Sequence, residues 1–206
     1  MKNIATYLAI GTFAACMSIS CNNGSSTDSV TAAKDSNTTK MDSTGTDTSG
    51  AGKTGSIPAT VSKADQNFAV NTANAGMTEI QAGKLAQQQG MSADVKKYGA
   101  MMVKDHTAAA DKLKAIAEKK NITLPADISS DMQQNIADLQ KKTGKDFDKA
   151  YIDMMVSDHK KVISAFEDES KNGSDADIRA FADSTLHTLH HHLDEAQKCQ
   201  KMESKM

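Results

Sequence analysis

Two copies of one short pattern carry the histidines best suited to bind a metal ion. One copy runs from Tyr98 to His106 and the other from Tyr151 to His159, and both read Tyr-x-x-Met-Met-Val-x-Asp-His. Imidazole and carboxylate groups are ligands for Zn, Fe, Mn or Cu, and residue types alone do not choose among these metals. The two copies predict two helices that present equivalent faces to one shared core.

Helical periodicity places both histidines on apolar stripes. Apolar residues lie four positions before and seven positions after His106, and the same spacing surrounds His159. The neighbouring Asp105 and Asp158 are rotated by about 100° around their helices, which puts them at the edge of each stripe. From there, a carboxylate could complete the shell around a metal or hold an imidazole in one tautomer.

Two further residues complete the candidate site. Glu79 lies in the middle of a face of small and apolar residues, and buried glutamate is rare unless it is paired. His192 falls within the apolar arc of the last helix. Counted from the turns that join the helices, the facing pairs differ in height by about 7 Å, which long side chains tolerate. The sequence therefore predicts one metal layer made of Glu79, His106, His159 and His192, with Asp105 and Asp158 as outer or alternative ligands.

Three functions fit this layer. The first is an envelope-anchored bundle that binds one transition metal in a stress-protection or metal-handling role. The second is a structural or interaction module whose histidines and glutamate only hydrogen-bond one another. The third is a metal-dependent enzyme. The chain shows no nucleophile with a base, no phosphate-binding glycine loop and no zinc-protease helix signature, so binding is favoured over turnover and no catalytic residue is predicted.

The methionines of the two copies have two interpretations. Methionine is a common filler of helical cores, and this interpretation is favoured. A methionine four positions before each histidine also leaves copper handling open, because the thioether favours Cu(I).

Composition predicts an all-α fold. The 206 residues carry a formal net charge of −2 and only 4 % aromatic residues. Ala, Met, Leu and Lys abound whereas β-branched residues are sparse, which favours helix over sheet. No cluster of Lys and Arg provides a face for nucleic acid, so that class of partner is excluded.

Capping and turn residues predict four long helices in an up-down-up-down bundle. The expected N-caps of the first, second and fourth are Ser62, Ser92 and Ser174, and a brief extra helix capped by Ser129 or Ser130 lies between the second and third. The four helices are expected to run to about residues 89, 120, 171 and 201, and the third to begin near residue 146.

The first 57 residues predict export and a tether. Lys2 and the apolar run Ile4–Phe13 are typical of a secretory signal, so residues 1–20 are assigned as signal peptide. Cys21, or alternatively Cys16, is the expected lipidation site. Residues 21–57 are rich in Ser, Thr, Gly and Asp and are predicted to be a disordered tether, followed by a folded domain over 58–206.

The predicted location follows from this segment. A lipid anchor would hold the protein in the outer or inner membrane, facing the periplasm or the exterior, whereas ordinary cleavage would release a soluble periplasmic protein. The membrane is thus an expected partner and any protein partner is unknown. Cys199 allows a disulfide-linked homodimer or is an unremarkable thiol near a frayed terminus.

The folded part resembles a known family. Residues from about 65 to 197 are similar to the ferritin-like family of bacterial "predicted outer membrane protein" domains (family 4142), whose function is undefined. The resemblance implies a four-helix ferritin-like bundle exported to the cell envelope. The sequence departs from di-iron ferritin-like proteins, which use Glu-x-x-His pairs, because it contains no such pair. The segments that carry the resemblance are Phe68, Gly76-Met77-Thr78-Glu79, Gly83-Lys84-Leu85-Ala86, Met102-Val103-Lys104-Asp105-His106, Leu124-Pro125, Phe147-Asp148-Lys149-Ala150-Tyr151, Met155-Val156-Ser157-Asp158-His159, Thr185-Leu186 and His192-Leu193.

Overall fold

The computed structural model describes residues 27–44 and 61–203. Within these two ranges every regular element is a helix, so the predicted all-α class is confirmed. The helices are α1 (Ser29–Thr44), α2 (Lys63–Gln89), α3 (Ala93–Lys119), α4 (Ser130–Gln140), α5 (Gly144–Asn172) and α6 (Ala176–Glu203).

Side-chain caps begin three of the helices where the sequence places them. The hydroxyl of Ser62 accepts the amide of Asp65 at the start of α2, and Ser92 accepts the amide of Asp94 at the start of α3. Ser129 caps α4. Each hydroxyl satisfies an amide that has no partner within the first helical turn.

The predicted cap of α6 is wrong by one residue. Asp175, not Ser174, caps this helix, because its Oδ1 accepts the amides of Asp177 at 2.9 Å and Ile178 at 3.2 Å. The carboxylate reaches two amides and places negative charge at the positive end of the helix dipole, which a serine hydroxyl does not.

Two buried aspartates determine how the four long helices are arranged. Asp148, near the start of α5, accepts the amides of Met91 and Ser92 in the α2–α3 turn at 2.9 and 2.7 Å. Asp65, near the start of α2, accepts the amides of Ser174 and Asp175 in the α5–α6 turn at 3.1 and 2.7 Å. Each helix therefore starts beside the far end of the other, and α2 runs antiparallel to α5.

This arrangement corrects the predicted topology. The chain order is up-down-down-up, not up-down-up-down, because α3 and α5 run in the same direction. The reason lies in residues 120–143, which contain α4 and pack along α2 and α5. A connection of that length returns along the bundle, so that the next helix starts at the opposite end from where α3 finishes.

The two aspartates occupy equivalent positions in two helical hairpins, α2–α3 and α5–α6. Asp148 lies 83 positions after Asp65, and Gly173, which ends α5, lies 83 positions after Gly90, which ends α2. Helix packing is much more extensive within each hairpin than between the hairpins. The bundle therefore consists of two similar hairpins, each clamped to the turn of the other.

The parallel direction of α3 and α5 brings the duplicated pattern together layer by layer. The rings of Tyr98 and Tyr151 lie 6.0 Å apart, edge to face. Met102 and Met155 follow in the same core cluster, both completely buried. The histidines form the next layer, so the expectation of equivalent faces directed at one core is confirmed.

Two apolar clusters fill the bundle, one on each side of the histidines. We call the first the tyrosine end, which includes Tyr98, Phe147, Tyr151 and Met155. We call the second the phenylalanine end; its members include Ala69, Leu113, Phe166, Phe181 and Leu189.

Residues 29–44 differ from the prediction. They were expected to be part of a disordered tether, but they form α1, and its Asn37 is 3 % exposed. Asn37 exchanges two hydrogen bonds with the backbone of Thr123 at 2.9 and 2.7 Å. Asp28 accepts amides of α1 and also the amide of Ser130 at 2.7 Å. Polar side chains thus dock this helix, whereas the prediction considered only its small apolar content.

Other predictions concern residues that the structure does not describe. The signal peptide 1–20, Cys16, Cys21 and residues 22–26 and 45–57 of the tether lie outside the described residues. In the part of the chain that is described, none of the helices combines the length and apolarity that crossing a bilayer requires. Cys199 is 6 % exposed and packs in the tyrosine end, so the interpretation as a thiol near a frayed terminus is wrong.

Candidate metal centre

Each of the four long helices contributes one predicted site residue to a single layer. Glu79, His106, His159 and His192 are 3, 7, 0 and 1 % exposed. The centroids of the three imidazole rings are 5.2 to 5.8 Å apart, and one ring nitrogen of each lies within 4.8 Å of the others. The structure therefore brings the four residues together, and the three buried histidines form a group that could hold a metal ion.

A backbone carbonyl determines the tautomer of His159. Its Nδ1 lies 3.0 Å from the carbonyl oxygen of Met155, one helical turn earlier. A carbonyl oxygen only accepts, so Nδ1 carries the proton and donates. In the neutral ring, Nε2 is then an acceptor with a free lone pair, and it faces His192 Nδ1 at 3.3 Å.

A carboxylate determines the tautomer of His192. Its Nε2 lies 3.0 Å from Asp105 Oδ2, so this nitrogen donates to the carboxylate. Neutral His192 then has its lone pair on Nδ1, the atom that faces His159. Two lone pairs at 3.3 Å repel one another unless a proton or a cation lies between them.

Glu79 holds the third ring. Its Oε2 lies 3.2 Å from His106 Nδ1, and its Oε1 lies 3.4 Å from His159 Nδ1. Among the described residues, neither Glu79 Oε1 nor His106 Nε2 has a hydrogen-bond partner, although both are buried. The Nδ1 proton of His159 is directed at Met155, which leaves Glu79 Oε1 without a donor.

Asp158 does not take the place of its counterpart in the first copy. Its carboxylate contacts Lys161 at 3.3 Å and is 32 % exposed, whereas Asp105 binds an imidazole. Its effect on the layer is electrostatic, because its charge helps to raise the pKa of Glu79. The duplicated Asp-His pairs are therefore equivalent in sequence but not in contacts.

Burial controls the charge of the layer. Desolvation lowers the pKa of His106 and of His192 to about 4, and it also lowers the pKa of His159. Desolvation raises the pKa of Glu79 to about 7. The imidazoles are therefore neutral at pH 7, which is the form that binds metals.

Two contacts of the site were missed by sequence reasoning. One is the carbonyl of Met155, because a helical histidine whose ring folds back on the preceding turn can reach the carbonyl four residues earlier. The other is the hydroxyl of Tyr98, which donates to the carbonyl of His192 at 3.3 Å. Tyr98 was recognised only as part of the repeat, since a side chain that supports a backbone carbonyl leaves no spacing signal.

A large cavity adjoins the layer on its phenylalanine side. Its volume is about 730 Å³, and Glu79 and His106 form part of its wall. Most of the remaining wall is apolar or small. The apolar and small residues of the wall include Phe68, Gly76, Ala109, Val162, Ala165, Phe166 and Leu189.

Comparison with known proteins identifies the family. Residues 51–199 match the family described as a domain of unknown function (DUF4142). No curated protein and no solved structure matches the chain. The match covers most of the sequence, including all of α2 to α5 and nearly all of α6, and it confirms the resemblance inferred from the motifs. The chain therefore belongs to the DUF4142 family.

Proposed function

We propose that the protein binds one transition metal ion through His106, His159 and His192. The observation that carries this proposal is the pattern of acceptors around the rings. Glu79, the Met155 carbonyl and Asp105 each contact one nitrogen of a different histidine. This leaves His106 Nε2, His159 Nε2 and His192 Nδ1 as three lone pairs in a buried layer.

The geometry suits a first-row metal. Zinc–nitrogen bonds of 2.0 to 2.1 Å in a tetrahedron place two ligand nitrogens roughly 3.4 Å apart. His159 Nε2 and His192 Nδ1 are 3.3 Å apart. Metal-binding histidines commonly donate their other nitrogen to a carboxylate or a carbonyl. His159 and His192 do so here, and His106 Nδ1 contacts the Glu79 carboxylate at 3.2 Å. Zn, Fe, Mn and Cu all accept such nitrogen ligands.

In this proposal, Glu79 and Asp105 hold the rings and balance the charge. Both carboxylates contact imidazole nitrogens and together neutralise a divalent ion. Glu79 Oε1 has no hydrogen bond within the described residues, so it can also turn to the metal as the predicted ligand whenever no other molecule occupies the fourth position. Metal handling or stress protection is the role that such a stable, buried ion would serve.

The topology supports a ferritin-like assignment. An up-down-down-up order with one long crossover occurs in ferritin-like bundles, whose metal sites are built from side chains on facing helices. The absence of Glu-x-x-His pairs favours a single ion over a di-iron centre. Lipidation at Cys21, or alternatively Cys16, would hold this bundle at the cell envelope.

A structural layer without metal is the second candidate. It is favoured by the hydrogen bond between His159 and His192, which would be genuine if His192 carried two protons. Desolvation lowers the pKa of His192 to about 4, so this doubly protonated form is disfavoured at pH 7.

Metal content separates the two candidates. The chain from residue 22 onward is loaded with Zn or Co, dialysed and measured by elemental analysis, and we expect one ion per chain. His192→Ala should abolish binding, whereas His187→Ala, an exposed histidine on the same helix, should leave it unchanged. Metal-free wild-type protein, or full binding by His192→Ala, would contradict the proposal.

A second pair of variants tests the outer contacts. Asp105→Asn should weaken metal affinity about 10- to 100-fold, because it weakens the acceptor of His192 Nε2. Asp158→Asn changes the equivalent residue of the second copy, which pairs with Lys161, and should have a much smaller effect. Competition titration with a chelating dye measures both affinities, and equal losses would refute the assignment of Asp105.

The anchor is tested separately. Cys21→Ser and Cys16→Ser variants of the full chain are expressed in bacteria and fractionated. Only Cys21→Ser is expected to move the protein from the membrane to the soluble fraction.

A further inference from the structure

The cavity beside the histidine layer has the features of a ligand site. Its volume of about 730 Å³ lies within the range of small-molecule pockets, which are concave, mostly apolar and furnished with a few polar groups. Here the polar groups at the inner wall are Glu79 and His106. Each contributes a buried atom, Oε1 and Nε2, that has no hydrogen-bond partner among the described residues.

Small residues on three helices leave this space unfilled. A Cβ added at Gly76 would meet nothing within 4 Å. Half-buried Ala109 on α3 and exposed Ala165 on α5 also line the space. Exposed residues such as Asn71, Lys161 and Asp168 line it as well, so the space is a pocket that leads from the surface to the buried Glu79 and His106.

His106 connects this space to the metal. Of the three proposed ligands it is the one that lines the cavity, and its Nε2 is the nitrogen left for the ion. The three histidine nitrogens supply three positions of a tetrahedron, and catalytic or ligand-binding centres use the fourth for an exogenous molecule. A molecule that reaches the metal from the cavity would place its body against Phe68, Val162 and Phe166.

The charge of the layer selects the head group. Glu79 and Asp105 already balance the two positive charges of a divalent ion. Lys114 and Lys161 also line the cavity but are exposed, so an anionic head at the metal would add an uncompensated negative charge in a buried site, which is costly. A neutral nitrogen or sulfur donor adds none.

We propose that the metal takes its remaining ligand from the cavity, and that this ligand is an apolar molecule with one neutral nitrogen or sulfur donor. This inference rests on the proposed function. The metal is the point of attachment and the cavity determines the size and apolarity of what is attached.

Cobalt-loaded protein and a series of 1-alkylimidazoles from methyl to hexyl test the proposal. The visible spectrum of Co(II) reports each binding event. Affinity should rise about fourfold for each added methylene until the cavity is filled, since a buried methylene contributes that factor. Azide, an anion of small size, should bind more weakly than 1-methylimidazole.

Ala109→Leu fills part of the cavity and should flatten the dependence on chain length while cobalt stays bound. Ala108→Leu is its matched control, because Ala108 is exposed on the same helix. Ala165→Leu narrows the cavity from α5 and replaces Ala109→Leu if that variant does not fold.

The outcomes distinguish a failure of the proposed metal site from a failure of the proposed cavity ligand. Protein that never develops cobalt bands overturns the proposed function and this inference with it. If cobalt binds, three results would overturn the inference alone. They are an affinity that does not depend on alkyl chain length, a full dependence on chain length in the Ala109→Leu variant, or a preference for azide over 1-methylimidazole.

Discussion

The two ends of the bundle use the same helices in different ways. At the tyrosine end, large side chains such as Phe147 and Tyr151 are completely buried. The α2 and α3 backbones also meet there, because a Cβ on Gly99 would lie 2.7 Å from the carbonyl oxygen of Gly83. At the phenylalanine end, Gly76 faces open space and residues of both hairpins line the cavity.

Because of this difference, the histidine layer is covered on one side and accessible on the other. The tyrosine end closes the histidine layer from one side with buried apolar groups. The phenylalanine end leaves Glu79 and His106 in contact with a space large enough for a small molecule. We therefore expect substitutions at the tyrosine end to affect stability and those at the phenylalanine end to affect binding.

The largest contrast in stability should come from two phenylalanines. Phe147→Ala should lower the free energy of unfolding by about 3 to 5 kcal/mol, because it removes a fully buried ring that stacks on Tyr151. Phe68→Ala should cost about half as much or less, since Phe68 is half-buried beside the existing cavity. Urea denaturation measures both, and equal losses would show that the two ends are packed alike.

Two glycines provide a matched comparison with the smallest substitution. Gly99→Ala should destabilise the protein by about 1 to 3 kcal/mol, because its methyl group would clash with the backbone of Gly83. Gly76→Ala should stabilise it by about 0.5 to 1 kcal/mol through higher helix propensity. Thermal unfolding measures the change in stability of both variants. Changes of the same sign would contradict the comparison.

The smallest effect is the pH response of the clamp at the phenylalanine end. Burial and the neighbouring Asp65 raise the pKa of Glu169 to about 7, and its protonated form donates to Asp65. The unfolded chain loses this proton near pH 4.5, so the folded state holds more protons between about pH 4.5 and 7. Stability from this group is therefore present below pH 4.5 and lost as the pH rises to about 7.

Glu169→Gln should remove this component, because the amide still donates to Asp65 but does not ionise. The melting temperature of the variant relative to the wild type is expected to increase from pH 4.5 to 7.5. Asp148 clamps the other end with the same geometry, and no acidic partner of this kind is found for it in the described residues. A constant difference in melting temperature would refute the assigned role of Glu169.

Local signals predicted the helices and their caps well. The hydroxyls of Ser62, Ser92 and Ser129 satisfy amides within their own first turns, so these contacts depend on neighbours in the sequence. The prediction for α6 failed because Ser174 and Asp175 are both good caps and only the three-dimensional turn decides between them. Asp28 caps α1 through its neighbours Val30 and Thr31, whereas the docking of α1 by Asn37 depends on the distant Thr123 and leaves no local pattern.

The histidine layer was predicted in spite of an apparent mismatch of about 7 Å in height. Side chains on a helix lean toward its N-terminus by about one residue. Glu79 and His159 precede their turns and lean away from them, whereas His106 and His192 follow their turns and lean toward them. The tilt of both side chains in each pair therefore reduces their difference in height.

The topology was present in the sequence but misinterpreted. If α3 and α5 were antiparallel, their repeated patterns could meet in one layer only. Tyr98 and Tyr151 meet, and so do His106 and His159, which requires parallel helices. The cavity was not predictable from periodicity, because an alanine on an apolar face predicts burial whether or not another side chain fills the space.

The similarity of the two hairpins also explains the position of the cavity. A half-length chain that paired with a second copy through two identical aspartate clamps would give the same bundle with two equivalent layers. In this chain, the counterparts of the four site residues lie 83 positions away and all line the cavity: Gly76, Ala109, Val162 and Leu189. The cavity is thus the pseudo-symmetric partner of the histidine layer, with small and apolar residues where the other layer has its three histidines and its glutamate.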